Sequence, residues 1–590
     1  MRRRLHLSCE AAKFWRISLI ILRGNTTTYL MRFFRRTEAF MQGFEITFPD
    51  GSKKQFIEPI SARAALAYCK EPDAVAFGMK VNNELVSLNK MIDVRATIKP
   101  VVKGTYDGSN IYRRTLCFLL AAAARKVYPD LRLLVGHSFG YSYYYTFEGA
   151  HASEIDLKII EDKMHEIVDA DLPIHTKSVA YSEALELFAN TNQPDAYRLL
   201  SYNSKPKITI NILDDYYDLY FQPLMDRAGY LKVFGLMKYE DGFLLRFPST
   251  ADTDTLPPFK DIPPLFTVYK EYKTWGKMIG VSSVGQLNEI IESRKTKDFV
   301  EITETLQNNK LAHIAEQIKN KKDVKVILIA GPSSSGKTTS AKKLSMQLRV
   351  VGYEPYVISL DDYYVGRDKT PRGKDGKLDF ECLESLDVPL LNELLLKLFA
   401  GEEVELPSYN FKTGERFYTG KKLRLNSRSI LILEGIHGLN DNLTPQIDPS
   451  LKFKIYLSAL TQLTLDDHNR IPTSDNRLLR RIVRDAQFRG SSASVTIGMW
   501  SDVRAGEAKH IFPYQGSADV IFNTALDYEL SVLKIYAEPL LRAVKPTDPA
   551  YSEASRLLIF LNNFLSVSPS FVHGQSILRE FIGDSDFSYH

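Results

Sequence analysis

Apolar and polar positions divide the chain into stretches with different signatures. Between residues 41 and 102, FEITF, the turn PDGSKK and the helix-like SARAALAYCK precede AVAFGMKVNNELVSL, which reads as a hairpin turning at Asn82-Asn83. From 103 to 255 the spacing predicts a helix in RRTLCFLLAAAARKVYP and an aromatic-rich strand pair in LLVGHSFGYSYYYTFEG. Helices in IDLKIIEDKMHEIVDADLPI and SEALELFANT follow. A Pro-rich link, LPPFKDIPPLF, opens 256–321, which continues as charged helical sequence. Over 322–545 the pattern alternates. VKVILIA, PYVISLDDYY, SILILEG and FKIYL read as strands; TSAKKLSMQL, LLNELLLKL and the run Asn476–Asp485 read as helices. Residues 546–590 read as a helical segment. Strands alternating with helices predict an α/β fold, a parallel sheet flanked by helices.

The first forty residues stand apart. They hold nine Lys/Arg against two acids, so of the overall net charge of +5 they carry +7 and the remaining 550 residues carry −2. The body is therefore no broad polyanion binder. The one apolar run there, Ile17 to Leu22, is too short for a signal peptide. A basic tail, a basic targeting segment, or sequence upstream of a start at Met41 are the readings it allows. No later run approaches the roughly 18 apolar residues of a membrane span; Thr115 to Ala124 reads as a buried helix. Apolar residues at 44% and charged residues at 25% fit a packed globular protein, and 590 residues allow roughly four domains. Cys9, Cys69, Cys117 and Cys382 lie far apart without a CxxC, which excludes a disulfide framework and favours a reducing cytoplasm.

The chemistry concentrates after VKVILIA. That strand runs into Gly331-Pro332-Ser333-Ser334-Ser335-Gly336-Lys337-Thr338, a full GxxxxGK[ST], and then into a helix starting at Thr339. About 0.02 chance matches are expected in this length from ordinary Gly, Lys, Ser and Thr usage. Glycines let backbone N–H groups wrap phosphates, and the helix N-terminus adds positive potential. Lys337 can neutralise phosphate charge and the Thr338 hydroxyl can coordinate Mg²⁺. Residues 331 and 333–339 are thus the candidate ATP contacts. Two strands end in acids: PYVISLDDYY in Asp361-Asp362, SILILEG in Glu434, a Walker-B-type position. The Arg-rich helix puts Arg481, Arg484 and Arg489 within an arc of roughly 140°.

P-loop, LDDYY, SYNF, LEG and RRIVRD together resemble the uridine kinase and phosphoribulokinase family, over about 322–545, most like uridine–cytidine kinases. The resemblance implies an ATP- and Mg²⁺-dependent kinase acting on a nucleoside 5′-hydroxyl, uridine or cytidine. It makes Asp361 the base and a metal-side acid with Glu434 and Thr338. Tyr364 and Tyr409 fall on positions around the nucleoside, and Arg481, Arg484 and Arg489 on the lid. Three positions depart from the family. Glu381 stands for a ribose-binding aspartate, Gly414 for a base-contacting histidine, and Ser491 for a last lid arginine. A phosphoribulokinase-like kinase of another small sugar is the alternative. His437 reads as a packed histidine.

Residues 41–102 resemble the TGS domain, a ubiquitin-like β-grasp, and 103–255 resemble the second, editing domain of threonyl-tRNA synthetases, an α+β fold. Its HxxxH and CxxxH positions hold Arg114, Phe118, Tyr220 and Leu224, none able to supply the reactive set. These regions raise a second alternative, a nucleotide-gated regulator touching RNA or the ribosome. Homo-oligomer formation is also open; no membrane partner is expected. Gly136-His137-Ser138-Phe139-Gly140 fits GxSxG, but the alternating YSYYYTF after it predicts a hairpin, not the strand–helix elbow of a hydrolase.

Overall fold

A computed structural model describes residues 43–70, 75–151, 153–321, 323–373, 376, 378–410 and 413–589. The basic segment 1–40 lies outside the described residues.

β1 (Phe44–Thr47) and β2 (Lys53–Phe56) pair antiparallel; β3 (Ala76–Val81) and β4 (Glu84–Val86) form a hairpin; β5 (Ala96–Val102) runs parallel to β1. The sheet order is β2-β1-β5-β3-β4. Asn82 and Asn83 both take positive φ, 50° and 63°, matching the twist of a two-residue hairpin. The helix expected in SARAALAYCK is one turn, Ala62–Ala65, continued by a 3₁₀ turn. Only Ala62 and Ala65 are buried in those two turns, so no apolar stripe sustains a longer helix.

α1 (Tyr106–Val127) begins where Thr105 Oγ1 accepts from the Gly108 N–H and is buried on nearly every side of its middle turns. Around it lie β6 (Leu133–Ser138), β7 (Ser142–Phe147), α2 (Leu157–Asp169), β8 (Ile174–Ala180), α3 (Tyr181–Ala189) and α4 (Pro194–Ser201). β9 (Lys207–Leu213), β10 (Tyr216–Asp218), β11 (Gly235–Tyr239) and β12 (Gly242–Arg246) complete two sheets, ordered β8-β9-β10 and β11-β12-β7-β6. Ser138 lies in the β6–β7 hairpin, so no helix follows the GxSxG serine.

α5 (Pro263–Met278) and α6 (Thr296–Asn320) lead to the α/β region. Its elements are β13 (Val326–Ala330), α7 (Lys337–Val350), β14 (Glu354–Ser359), α8 (Val388–Phe399), β15 (Val404–Asn410), β16 (Glu415–Leu423), β17 (Ser429–Glu434) and β18 (Lys452–Ser458). α9 (Thr473–Phe488), α10 (Ala493–His510), β19 (Val520–Asn523), α11 (Glu529–Arg542) and α12 (Tyr551–Leu561) follow. The sheet is parallel throughout, in the order β14-β17-β13-β18-β19. β13 and β17 are fully buried because helices cover both faces. The chain leaves β13 toward one edge and later fills the other, so the loop after β13 opens at a topological switch point, where α/β folds bind ligands.

One expectation needs correction. The strand carrying Asp361-Asp362 ends earlier, at Ser359, and both acids lie on a 3₁₀ turn, Leu360–Tyr363. Ser359 Oγ accepts from the Asp361 N–H and starts that turn, so strand alternation does not separate the two carboxylates.

An aromatic joint connects the N-terminal and α/β regions: Phe139, Tyr144, Tyr239, Phe266 and Tyr269 pack with Tyr456 and Ile521. Of the aromatic residues of β7, Tyr144 packs here, whereas Tyr145 and Phe147 face the core of the N-terminal region.

Candidate active site

The loop between β13 and α7 carries two left-handed residues, Ser334 (φ 58°) and Gly336 (φ 81°), which turn the chain so that α7 points its N-terminus into the cleft. Lys337 Nζ donates to the carbonyls of Gly331 and Pro332, at 3.1 and 3.3 Å. Ser335 is buried with its hydroxyl unpartnered, as is that of Ser334. Thr338 Oγ1 donates to Glu434 Oε1 at 3.1 Å, and Ser359 Oγ reaches the same oxygen at 3.4 Å. Burial, then the nearby Asp361 charge, pushes the Glu434 carboxyl up to about 7, while Lys337 opposes the shift.

Asp361 opens to water in the cleft but has protein on most sides, which raises its carboxyl; Lys337, Arg489 and Arg484 pull the other way. Glu381 is held up at about 7 by burial and by Glu507, against Lys337 and Arg481. Tyr364 and Tyr409 meet with their rings tilted at 49°, 5.6 Å between centroids, and Tyr364 lies close to both Asp361 and Glu381. Asp362 has separate work: it accepts from the Tyr409 N–H at 3.2 Å.

Arg481, Arg484 and Arg489 share one counter-ion, the buried Asp485, at 3.3, 3.2 and 3.4 Å. Three guanidinium groups against one carboxylate leave positive charge beside Asp361. Arg481 also donates to Ser333 Oγ at 2.8 Å. The fold thus collects Lys337, Thr338, Glu434, Asp361, Glu381, Tyr364, Tyr409 and the three arginines in one cleft. His437 is buried beside His510 with both ring nitrogens unpartnered, and burial lowers it to about 4, so it stays neutral at neutral pH.

Sequence reasoning missed four residues here. Arg477 Nε donates to the Ser333 carbonyl at 2.9 Å, and Arg480 Nη1 to that of Ser334 at 3.3 Å. Glu507 accepts from the Ser333 N–H at 2.9 Å and pairs with Arg477. Glu580 accepts from the N–H and hydroxyl of Thr339. Arg477 and Arg480 are visible as basic positions of the same helix, Arg480 directly before Arg481; nothing near Glu507 or Glu580 marks them.

Oxygen donors in this cleft suit a hard cation such as Mg²⁺, which takes one or two carboxylates and completes its shell with phosphate and water. Among the described residues no group of three His, Cys, Asp or Glu could hold a metal ion.

Residues 326–531 match the model described as "Phosphoribulokinase / Uridine kinase family". The C-terminal region carries a domain of this family. Among solved structures, the chain is similar to "a Possible Uridine Kinase from Bacillus stearothermophilus", at 23% identity and a TM-score of 0.25, covering 36% of this chain and 98% of that one. It is similar to D-glycerate 3-kinase from Cryptococcus neoformans at 14% identity and a TM-score of 0.19, covering 45% and 87%. The N-terminal region is similar to threonine--tRNA ligases. That of Hahella chejuensis is 30% identical over 197 residues, 33% of this chain and 31% of the ligase. The chain thus spans about a third of the length of the curated relatives it matches.

In the ligase-like region Arg114, Phe118, Tyr220 and Leu224 do converge. Phe118 and Tyr220 meet edge to face at 5.5 Å, Leu224 is buried, and Arg114 donates to the Pro223 carbonyl at 2.7 Å. Tyr216 packs on Phe118 at 5.6 Å and reaches toward His468, which arrives from the kinase-family domain. His468 bonds Asp218 at 2.9 Å, and that partner holds its imidazolium up to about 9 against the burial.

Proposed function

We propose that this protein is an ATP- and Mg²⁺-dependent kinase that phosphorylates the 5′-hydroxyl of a nucleoside, uridine or cytidine. The observation that carries the reading is the convergence of Asp361 with Lys337, Thr338, Glu434 and three arginines beside the Tyr364–Tyr409 pair. Phosphoryl transfer asks a protein mainly for positioning and charge stabilisation. The P-loop N–H groups and Lys337 hold the phosphates, with Thr338 and Glu434 to hold Mg²⁺. That ion, when bound, supplies neutralisation of phosphate charge. Asp361 accepts the proton of the attacking hydroxyl, Tyr364 and Tyr409 sandwich or flank the acceptor, and Arg481, Arg484 and Arg489 grip transferred charge. Its compartment in this reading is the cytoplasm; Cys117 and Cys382 are free thiols.

A second reading, a kinase of another small sugar, is favoured by Gly414. It takes a left-handed φ of 76°, which strains a histidine, and an added Cβ, 2.5 Å from the Arg367 side chain, would have to push that side chain aside. A panel of nucleosides and sugars, assayed with ATP and Mg²⁺, tests both. Turnover confined to uridine or cytidine supports the first; turnover with another sugar alone replaces it with the second. Turnover only when RNA or ribosomes are added would replace both with a regulator acting through the ligase-like region. Lys337→Ala or Thr338→Ala should abolish any turnover found while the protein stays folded.

A further inference from the structure

Residues 576–589 come after the family-matched stretch and sit directly on the P-loop. A Cβ on Gly336 would lie 2.6 Å from Ile577 Cγ2, and Arg480 lies 5.0 Å over the Phe581 ring. Glu580 Oε2 is 3.1 Å from the Thr339 amide nitrogen and 2.6 Å from Thr339 Oγ1. The Tyr589 hydroxyl is 2.8 Å from the same Oγ1. Lys342, one turn further along α7, donates to the Ser588 carbonyl and lies 5.4 Å over the Tyr589 ring.

Thr339 is the third residue of α7, so its N–H is among the first four of the helix, which find no partner within it. In a P-loop these N–H groups and the positive end of the helix are what hold the nucleotide phosphates. A carboxylate is an anionic acceptor of the same kind, and here the chain itself delivers one. Glu580 also lies near enough to Glu434 to raise it, so a polyphosphate arriving while Glu580 is seated would bring a further negative charge into that cluster.

We propose that segment 576–589 is an intramolecular latch: Glu580 and Tyr589 occupy donors of α7 that the phosphate donor needs, and the nucleotide must displace them. The proposal rests on the kinase reading above. Release need not disturb the core. Ile577, Leu578 and Phe581 are buried anchors, whereas Glu580 is half-buried and Tyr589 exposed. Gly583, at φ 87°, separates the anchors from the residues that carry Tyr589.

The test compares full-length protein, Glu580→Gln, and a chain ended at Phe587, by titration with a fluorescent ADP analogue and by KM for ATP. Binding roughly tenfold tighter in either variant is expected, the scale of losing one hydrogen bond to a charged group. Unchanged or weaker binding in both, with the analogue still bound, would make the segment a wall of the nucleotide site and sink the latch. No binding by any of the three proteins would overturn the kinase reading itself.

Discussion

Asp361 and Asp362 sit on one 3₁₀ turn, yet they serve different neighbours. Asp361 lies within the field of Lys337, Arg484 and Arg489, whereas Asp362 ties down the Tyr409 backbone. Asp361→Asn should therefore lower kcat by roughly 10²–10⁴, the usual contribution of a general base, with far less change in KM for ATP. Asp362→Asn keeps an acceptor for the Tyr409 N–H and should be mild. If Asp362→Asn proves the dead variant, Asp362 is the base. Glu434 predicts a pH effect. With its carboxyl at about 7 in the fold against an ordinary 4.5, the nucleotide-free protein binds the extra proton between those values. Its contribution to stability is present below pH 4.5 and is lost as pH rises through 7. The melting temperature of Glu434→Gln should therefore gain on that of the natural chain as pH rises from 5 to 8. A constant difference across that range would show that the group is not shifted.

At the scale of elements, what could be read from sequence depended on how local the cause was. β13 and β17 were legible because burial on both faces leaves uninterrupted apolar runs, and the P-loop because its glycines and Lys337 lie within eight residues. Asp361 was misplaced by two residues because the apolar run continues through Leu360 while the backbone has already turned. Segment 459–472 gave no signal, since its partners are far away in sequence. There Asp467, almost wholly buried, accepts from Arg132 and from the Ala196 N–H, and Arg132 also meets Asp195 and Glu148. Removing one partner of a buried ion pair typically costs about 3–5 kcal/mol, because the other charge is left stranded. Asp467→Ala should thus lower the thermal denaturation midpoint by several degrees, and Glu148→Ala, on the exposed side of Arg132, by much less. Equal effects would mean the network is held by something other than burial.

The site draws on parts of the chain far apart in sequence, which is why some of its residues stayed hidden. Ser333 meets Glu507 across 174 residues of chain and Thr339 meets Glu580 across 241, distances at which no motif operates. The ligase-like region is tied in by the same kind of long contact, and this decides what it can do. Its central cleft is filled by Phe118, Tyr216 and Tyr220 and reached from the other domain by His468 and Asn469, the latter donating to the Leu219 carbonyl at 2.7 Å. An esterase needs a group that can hold water or move a proton beside an open pocket. Arg114, at about 10 through burial, remains a cation, and Tyr220 is pushed far above its usual range by the same cause. Neither can act as a base near neutral pH. The full-length protein should therefore leave a mischarged threonine tRNA intact, releasing amino acid no faster than buffer alone. Faster release that persists in Lys337→Ala would mean that a hydrolytic centre survives outside the P-loop cleft, in a region whose aromatic packing argues against one.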